Sequence, residues 1–182
     1  GRSSAASDVY KRQLLYKMIQ ESNILLNRCV SDIAGEKYNE LSAQGRFFRV
    51  LAYYYLVETF GPVPLLLEEN TDEANIIVSV TRESEENIYS FMISELEGIK
   101  NQLPEVSSEV GRINNTALKH FLGKLYLSRS YKDFALPDDL DKSIALFESV
   151  IASEHYQLLP SFADVFDEDN QNNIEIIWAV QY

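Results

Sequence analysis

The sequence is poor in the residues on which most chemistry depends. A single cysteine, Cys29, allows neither an internal disulfide nor a cysteine-based zinc site, so it leaves the redox compartment open. Two histidines, His120 and His155, stand 35 positions apart and outside any H-x3-H or H-E-x2-H spacing, which excludes the common zinc motifs. Basic residues are also scarce, 16 against 28 acids, and a net charge of -12 lacks the basic face that phosphate backbones require. Nucleic acid is therefore not an expected partner. Long apolar runs are missing too: Thr59 to Leu67 is free of charge for only nine residues, whereas a membrane helix needs roughly 20.

What the chain does have is a core. With 46% hydrophobic and 12% aromatic residues it can bury enough surface to fold. Residues 1–13 are set apart from this. Ser3 to Gln13, SSAASDVYKRQ, matches the in-frame translation of a transposase-based sequencing adapter at all eleven positions. The expectation is a non-native segment at 1–13 and a native scaffold at 14–182, truncated at both ends, since Glu175 to Tyr182 stops inside an apolar run.

Five helices are expected. Leu15, Met18, Ile19, Leu25, Leu26 and Cys29, with Ser22, share one face of a first helix over 14–30. Tyr38 to Phe60 is denser, apolar nearly all round in its second half, and should lie centrally. Gly61-Pro62 stops it, glycine as a left-handed cap and proline as a break in the ladder. Val63 to Leu67 then runs extended, kept out of a sheet interior by Pro64. Ile76 to Val80 is a short strand candidate. A third helix, capped near Thr81, Ser84 or Asn87, carries Ile88, Phe91, Met92, Leu96, Ile99 and Leu103 up to Pro104. Asn115 or Thr116 caps a fourth with Leu118, Phe121, Leu122, Leu125 and Tyr126. After Pro137, Asp138 to Asp141 open a fifth with Ile144, Ala145, Phe147 and Ile151 facing inward. Ile174 to Val180 is the remaining strand candidate.

The fourth and fifth helices carry part of the tetratricopeptide pattern. Leu122-Gly123-Lys124-Leu125-Tyr126 fits its L-G-x2-Y core, and Ser143 to Phe147 its A-x3-F. Gly123 lets the partner helix approach while Tyr126 and Phe147 fill the space between. Lys119 stands where Trp is usual, and the turn is swollen by Lys132 to Asp139.

Three segments resemble one family. Ala43 to Leu65, AQGRFFRVLAYYYLVETFGPVPL, is similar to the "EA-x-FLRA-x-x-YF-x-L-V-x-x-FG-x-VP-L" stretch of the SusD/RagB proteins. Glu86 to Pro104 with Gly111-Arg112-Ile113-Asn114 resembles their "Y-x-x-I-x-x-DL-x-x-A-x-x-x-LP … GR-x-T" helix and linker, and Tyr156-Gln157-Leu158, Phe166 and Glu175-Ile176-Ile177-Trp178 resemble "Y-x-L … F … N-x-x-EII-F". Gln44-Gly45 stands at the usual Glu-Ala, Glu95 at an Asp and Gly98 at a common Ala. The resemblance implies an all-α scaffold of tetratricopeptide-like helical hairpins in a surface lipoprotein that binds glycan or another nutrient. It also implies an N-terminal lipidated cysteine, an outer-membrane location and a TonB-dependent transporter as partner. The alternative is a tetratricopeptide-type adaptor gripping a peptide. An adaptor keeps near-34-residue repeats with short turns, whereas this chain has long irregular connections after Gly61 and after Arg129.

Individual residues add little toward a site. Tyr53, Tyr54 and Tyr55, with Phe47, Phe48 and Phe60, form no flat sugar platform, because successive helical residues point about 100° apart; core packing is expected. Trp178 is the best stacking residue by type but sits in an apolar run, which favours packing. Gly61-Pro62-Val63-Pro64 reads as a helix stop and rigid turn. Asp164, Asp167, Glu168, Asp169 and Asn170 fail the EF-hand pattern, since Asn172 and Trp178 occupy the Gly and Glu positions counted from Asp167. Gly111-Arg112 lacks the glycine spacing and lysine of a phosphate loop. His120 is expected at a helix edge, and Cys29 in the core. Acid pairs such as Glu68-Glu69 carry no information in so acidic a chain. No catalytic, metal, cofactor or specific ligand-binding residue is assigned, and an enzyme is not expected.

Overall fold

The computed structural model describes residues 2–32, 35–69, 80–107 and 109–181, and the side chains of 7–28 in the first of these stretches. The expected core place of Cys29 and most of the Ile76 to Val80 strand candidate lie outside the described residues. The described elements are six helices and one 3-10 turn, and the β-pairing among them is an isolated antiparallel bridge, Val63 with Glu83. The all-α expectation stands. Two compact units divide the chain, Gly1–Ile99 and Lys100–Tyr182.

In the first unit, α1 spans Arg2–Asp32 and α2 spans Glu36–Phe60. The helix expected to start near Leu14 thus begins at Arg2. Residues 3–13 contain neither Gly nor Pro and include the good helix formers Ala5, Ala6, Lys11, Arg12 and Gln13, so an established helix extends through them at modest cost. α2 packs against α1 on one side and α3 (Glu85–Ile99) on the other. Its inner residues Phe47, Val50, Tyr53, Leu56 and Val57 are essentially inaccessible, each stabilising the fold by roughly 1.5–3 kcal/mol through burial. The central position expected for this helix is observed. The three tyrosines diverge: Tyr53 is buried and its ring meets Phe91 edge-on at 5.7 Å, Tyr54 is at the margin of the core, and Tyr55, expected inside, faces solvent at 46% exposure. Close contact with α1 depends on Gly45, where a Cβ would stand 3.0 Å from Leu25 Cδ2.

Gly61 ends α2 with its N–H donated to Val57 O at 2.9 Å. Its φ of 67° is positive as expected, but ψ of -138° makes it an extended conformation open to glycine and not a left-handed helical cap. In the extended strap that follows, Val63 O accepts the Glu83 N–H at 3.0 Å, but the bridge does not continue into a ladder and the later carbonyls need other partners. Side chains supply the partners. Tyr16 Oη donates to Pro64 O at 3.0 Å, Tyr53 Oη to Leu66 O at 3.0 Å, and Asn23 Nδ2 to Leu66 O and Glu68 O at 3.1 and 3.0 Å. Burial pushes both phenols above their ordinary pKa. α3 is capped by Ser84, whose Oγ accepts the Asn87 N–H at 3.1 Å, and it stops at Ile99, short of the expected Leu103. The residue before Pro104 avoids helical geometry, so the chain turns earlier while Leu103 stays buried.

In the second unit α4 spans Asn115–Ser130 and α5 spans Asp139–Ile151, followed by the single turns α6 (Phe162–Val165) and a 3-10 turn at Glu168–Asn170. The cap of α4 is Asn114, whose Oδ1 accepts the Ala117 N–H at 2.8 Å, and not Asn115 or Thr116. Those two tie the preceding linker instead, through Asn115 Nδ2 to Glu105 Oε1 at 2.7 Å and Thr116 Oγ1 to Glu105 O at 2.9 Å. The α4–α5 hairpin follows the tetratricopeptide logic: a Cβ on Gly123 would stand 2.9 Å from Phe147 Cε1, Tyr126 is buried, and Ser143, in place of Ala, donates its hydroxyl to Gly123 O at 2.9 Å. Ile144 and Ile151, expected inside, are exposed. Ile174 to Val180 forms no strand: it is irregular, exposed at Ile174 and Val180 and half-buried between them, and the Gln157 N–H donated to Ile174 O at 3.3 Å does not extend into a ladder.

Gly123→Leu tests the hairpin. A gain in helix propensity of about 1 kcal/mol opposes an overpacking cost of about 1–3 kcal/mol against the half-buried Phe147 ring, which a Cβ alone would already approach to 2.9 Å. A net loss of stability in urea denaturation is expected; an unchanged or raised midpoint would show that close approach at Gly123 is not needed.

Candidate functional site

The second unit holds a cleft built where the linker before α4 meets the last irregular segment. Gly111 adopts φ of 84°, and its carbonyl accepts the indole N–H of Trp178 at 2.9 Å. A Cβ there would stand 2.8 Å from Gln181 Cγ, so glycine permits this approach. Asn114 serves two purposes at once: Oδ1 caps α4, and Nδ2 donates to the Tyr156 hydroxyl at 3.0 Å. The segment opposite is held by side chains in place of regular structure. Asn173 Nδ2 donates to Val165 O and Asn170 O at 3.2 and 2.9 Å, and Glu175 accepts the Leu159 N–H at 2.9 Å. Between these walls is a volume of about 120 Å³ lined by, among others, Glu109, Arg112, Tyr156, Asn172, Trp178 and Gln181.

The lining mixes apolar Val106, Val110, Ile176 and Ile177 with carboxamides, an ion-paired Arg112–Glu109, a phenol and a half-buried indole. It offers hydrogen-bond donors and acceptors with an aromatic surface, the complement of an uncharged polyol. At about 120 Å³ it is well below the roughly 300–1,000 Å³ of a full ligand pocket. Trp178, expected to pack in the core, is thus half-buried at the cleft wall.

The remaining sequence candidates lie elsewhere. His120, on α4, sits partly exposed with its ring 5.6 Å from that of Phe147; burial on that side, followed by the charge of Lys124, holds its pKa below the ordinary histidine range. His155 is exposed, its backbone N–H donated to Ser153 Oγ at 3.4 Å. The acidic stretch 164–170 is an exposed turn in which Asp167 Oδ1 accepts the Asp169 N–H at 2.9 Å and Asn170 Nδ2 donates to Asp164 O at 3.0 Å. Among the described residues no group of three His, Cys, Asp or Glu side chains is placed to hold a metal ion. Glu69 pairs with Arg28, which holds its carboxyl below the usual range. Sequence reasoning missed Asn114 and Tyr156 as a pair. Asn-Asn-Thr before an apolar helix signalled a cap, but nothing local pointed to a tyrosine 42 residues away.

Fold and cleft together define a helical-hairpin protein with a polar cleft formed by the irregular segments that flank α4 and α5. The chain belongs to the SusD-like family: the family model described as "starch-binding associating with outer membrane" matches residues 5–127. A SusD-like protein of Bacteroides ovatus is 27% identical over 174 residues, covering 92% of this chain and 31% of the relative. SusD-like protein P25 of Formosa agariphila is 26% identical over 182 residues, covering 98% and 32%. A crystal structure solved with xylogluco-oligosaccharide superimposes with a TM-score of 0.81 at 26% identity, covering 92% of this chain and 34% of that one. The chain thus spans about a third of the length of the curated relatives it matches.

Proposed function

We propose that the full-length protein is a non-enzymatic, lipid-anchored glycan-binding protein at the outer-membrane surface that hands its ligand to a TonB-dependent transporter. The observation that carries this reading is the family match over 5–127 together with the likeness, TM-score 0.81, to a protein crystallised with xylogluco-oligosaccharide. The chemistry of the Trp178 cleft supports it, since that cleft sets carboxamides, a phenol and the mutually paired Arg112 and Glu109 beside an indole. The net charge of -12 is consistent with a neutral ligand. In this reading residues 14–182 are scaffold and residues 1–13 derive from an adapter.

The test uses the full-length protein obtained by extending the gene in both directions. Affinity electrophoresis against a panel of neutral polysaccharides is expected to show retardation by at least one, and Trp178→Ala to weaken it about tenfold with the far-UV circular dichroism unchanged. No retardation by any glycan would overturn the glycan reading. The flanking sequence decides the rest: a lipoprotein signal in place of codons 1–13 and a neighbouring TonB-dependent transporter gene are expected, and a short gene of regular repeats would favour the peptide adaptor instead.

A further inference from the structure

One carboxamide sets the direction of a hydrogen bond in the cleft. The Ala117 N–H can only donate, so the atom of Asn114 that meets it at 2.8 Å is the oxygen, Oδ1. This fixes the orientation of the amide and turns Nδ2 toward the Tyr156 hydroxyl at 3.0 Å. Nδ2 has no lone pair to offer, so the phenol oxygen is the acceptor and its own proton points away from Asn114. Among the described residues no acceptor takes that proton. Asn114 is buried, Tyr156 is half-buried, and both line the cleft. Neighbouring donors are already spent: the indole N–H of Trp178 on Gly111 O, and Gln181 Nε2 on Asn172 Oδ1 and Ala179 O at 3.2 and 3.1 Å.

We infer that Tyr156 is a specificity-determining residue of the cleft, a hydrogen-bond donor to the glycan, and that Asn114 is the positioning residue that fixes this polarity. Because Asn114 holds the phenol oxygen as an acceptor, the group seated against Tyr156 must bring a lone pair; a sugar hydroxyl, a ring oxygen or a bridging oxygen does so. The same asparagine caps α4, so the donor is anchored to the first turn of a helix and is ordered before any sugar arrives. A donor ordered in advance costs little further entropy on binding, and it penalises any ligand that leaves it unpaired. Resting on the glycan-binding reading above, this assignment adds the atom that reads the sugar.

Affinity electrophoresis of the full-length protein in amylopectin, xyloglucan and galactomannan tests it, with Tyr156→Phe, Asn114→Asp and the double variant beside the parent. Asn114→Asp keeps the cap, since aspartate serves there as well as asparagine and the helix dipole favours its charge. It places a carboxylate oxygen where Nδ2 stood, so the Tyr156 proton turns to that oxygen and is lost to the sugar. An uncharged polysaccharide is indifferent to the added charge, so a capping role alone predicts unchanged affinity. Against the polysaccharide that retards the parent, each single variant is expected to bind about tenfold more weakly. The double variant should also lose about tenfold, not on the order of a hundredfold, because both substitutions remove one hydrogen bond. The urea midpoint of Asn114→Asp should equal or exceed that of the parent. Parental affinity in either single variant, or losses that multiply in the double one, would overturn the assignment while leaving the glycan reading to Trp178→Ala. A parent retarded by none of the polysaccharides would remove that reading and this assignment with it.

Discussion

Replacing Arg49 with Met is expected to lower the stability of the first unit by about 3–5 kcal/mol, the cost of breaking a buried charge pair on one side. Arg49 is 7% exposed and its guanidinium reaches three elements: Nη1 donates to Asn23 Oδ1 on α1 at 2.9 Å and to Leu67 O in the strap at 3.3 Å, and Nη2 donates to Glu95 Oε2 on α3. Its face also lies 5.5 Å from the centre of the Phe91 ring. Methionine replaces the aliphatic stem, so the loss is electrostatic. It leaves the half-buried Glu95 carboxylate with Arg46 at 3.7 Å as its remaining ion pair, and the Asn23 and Leu67 oxygens without that donor. Because the penalty comes from the stranded partners, Arg49→Met with Glu95→Leu should recover more than half of it. Urea denaturation of the two variants and the parent provides the measurement. A single-variant loss below about 1 kcal/mol, the range of a surface pair, would show that the network does not hold the unit together.

Asp139→Ala is expected to cost a similar amount, about 3–5 kcal/mol, in the second unit. The carboxylate is wholly inaccessible, and it accepts from Arg129 Nε at 2.9 Å, from Arg129 Nη2, and from the Leu136 N–H at 2.8 Å. One side chain therefore closes the long α4–α5 connection, neutralises the arginine in the last turn of α4 and places an acid in the first turn of α5, where the helix dipole favours it. Alanine strands the guanidinium, which also packs 5.5 Å from the Tyr126 ring centre. Asp139→Asn keeps an acceptor for Leu136 and should cost less than alanine. The order aspartate, asparagine, alanine in denaturation midpoint is the result to look for; equal midpoints for asparagine and alanine would remove the turn contact from this account.

These two residues also mark how far local pattern reaches. Arg49 lies inside the Ala43 to Leu65 stretch that carried the family resemblance, yet its partners stand 26 and 46 positions away, and no periodicity links them. Arg129 and Asp139 are only ten apart, and an acid opening one helix opposite an arginine closing the previous one was a usable signal. The swollen turn between them read only as a departure from the repeat. For the cleft, Trp178 was visible by type, but its place at a wall required the Gly111 carbonyl, brought to it from 67 residues away.

The helices, their order and the central place of α2 follow from the spacing of apolar residues, because a 3.6-residue period and a stop signal such as Gly61-Pro62 are local properties of a chain. The hairpin logic at Gly123 and Phe147 was equally local, since size complementarity depends on which residue types are present. Which polar side chains satisfy the strap, which asparagine caps α4, and which flank of α5 stays uncovered depend on what lies across from each residue. Helical period sets only the direction of a side chain; its neighbour is set by how the elements pack.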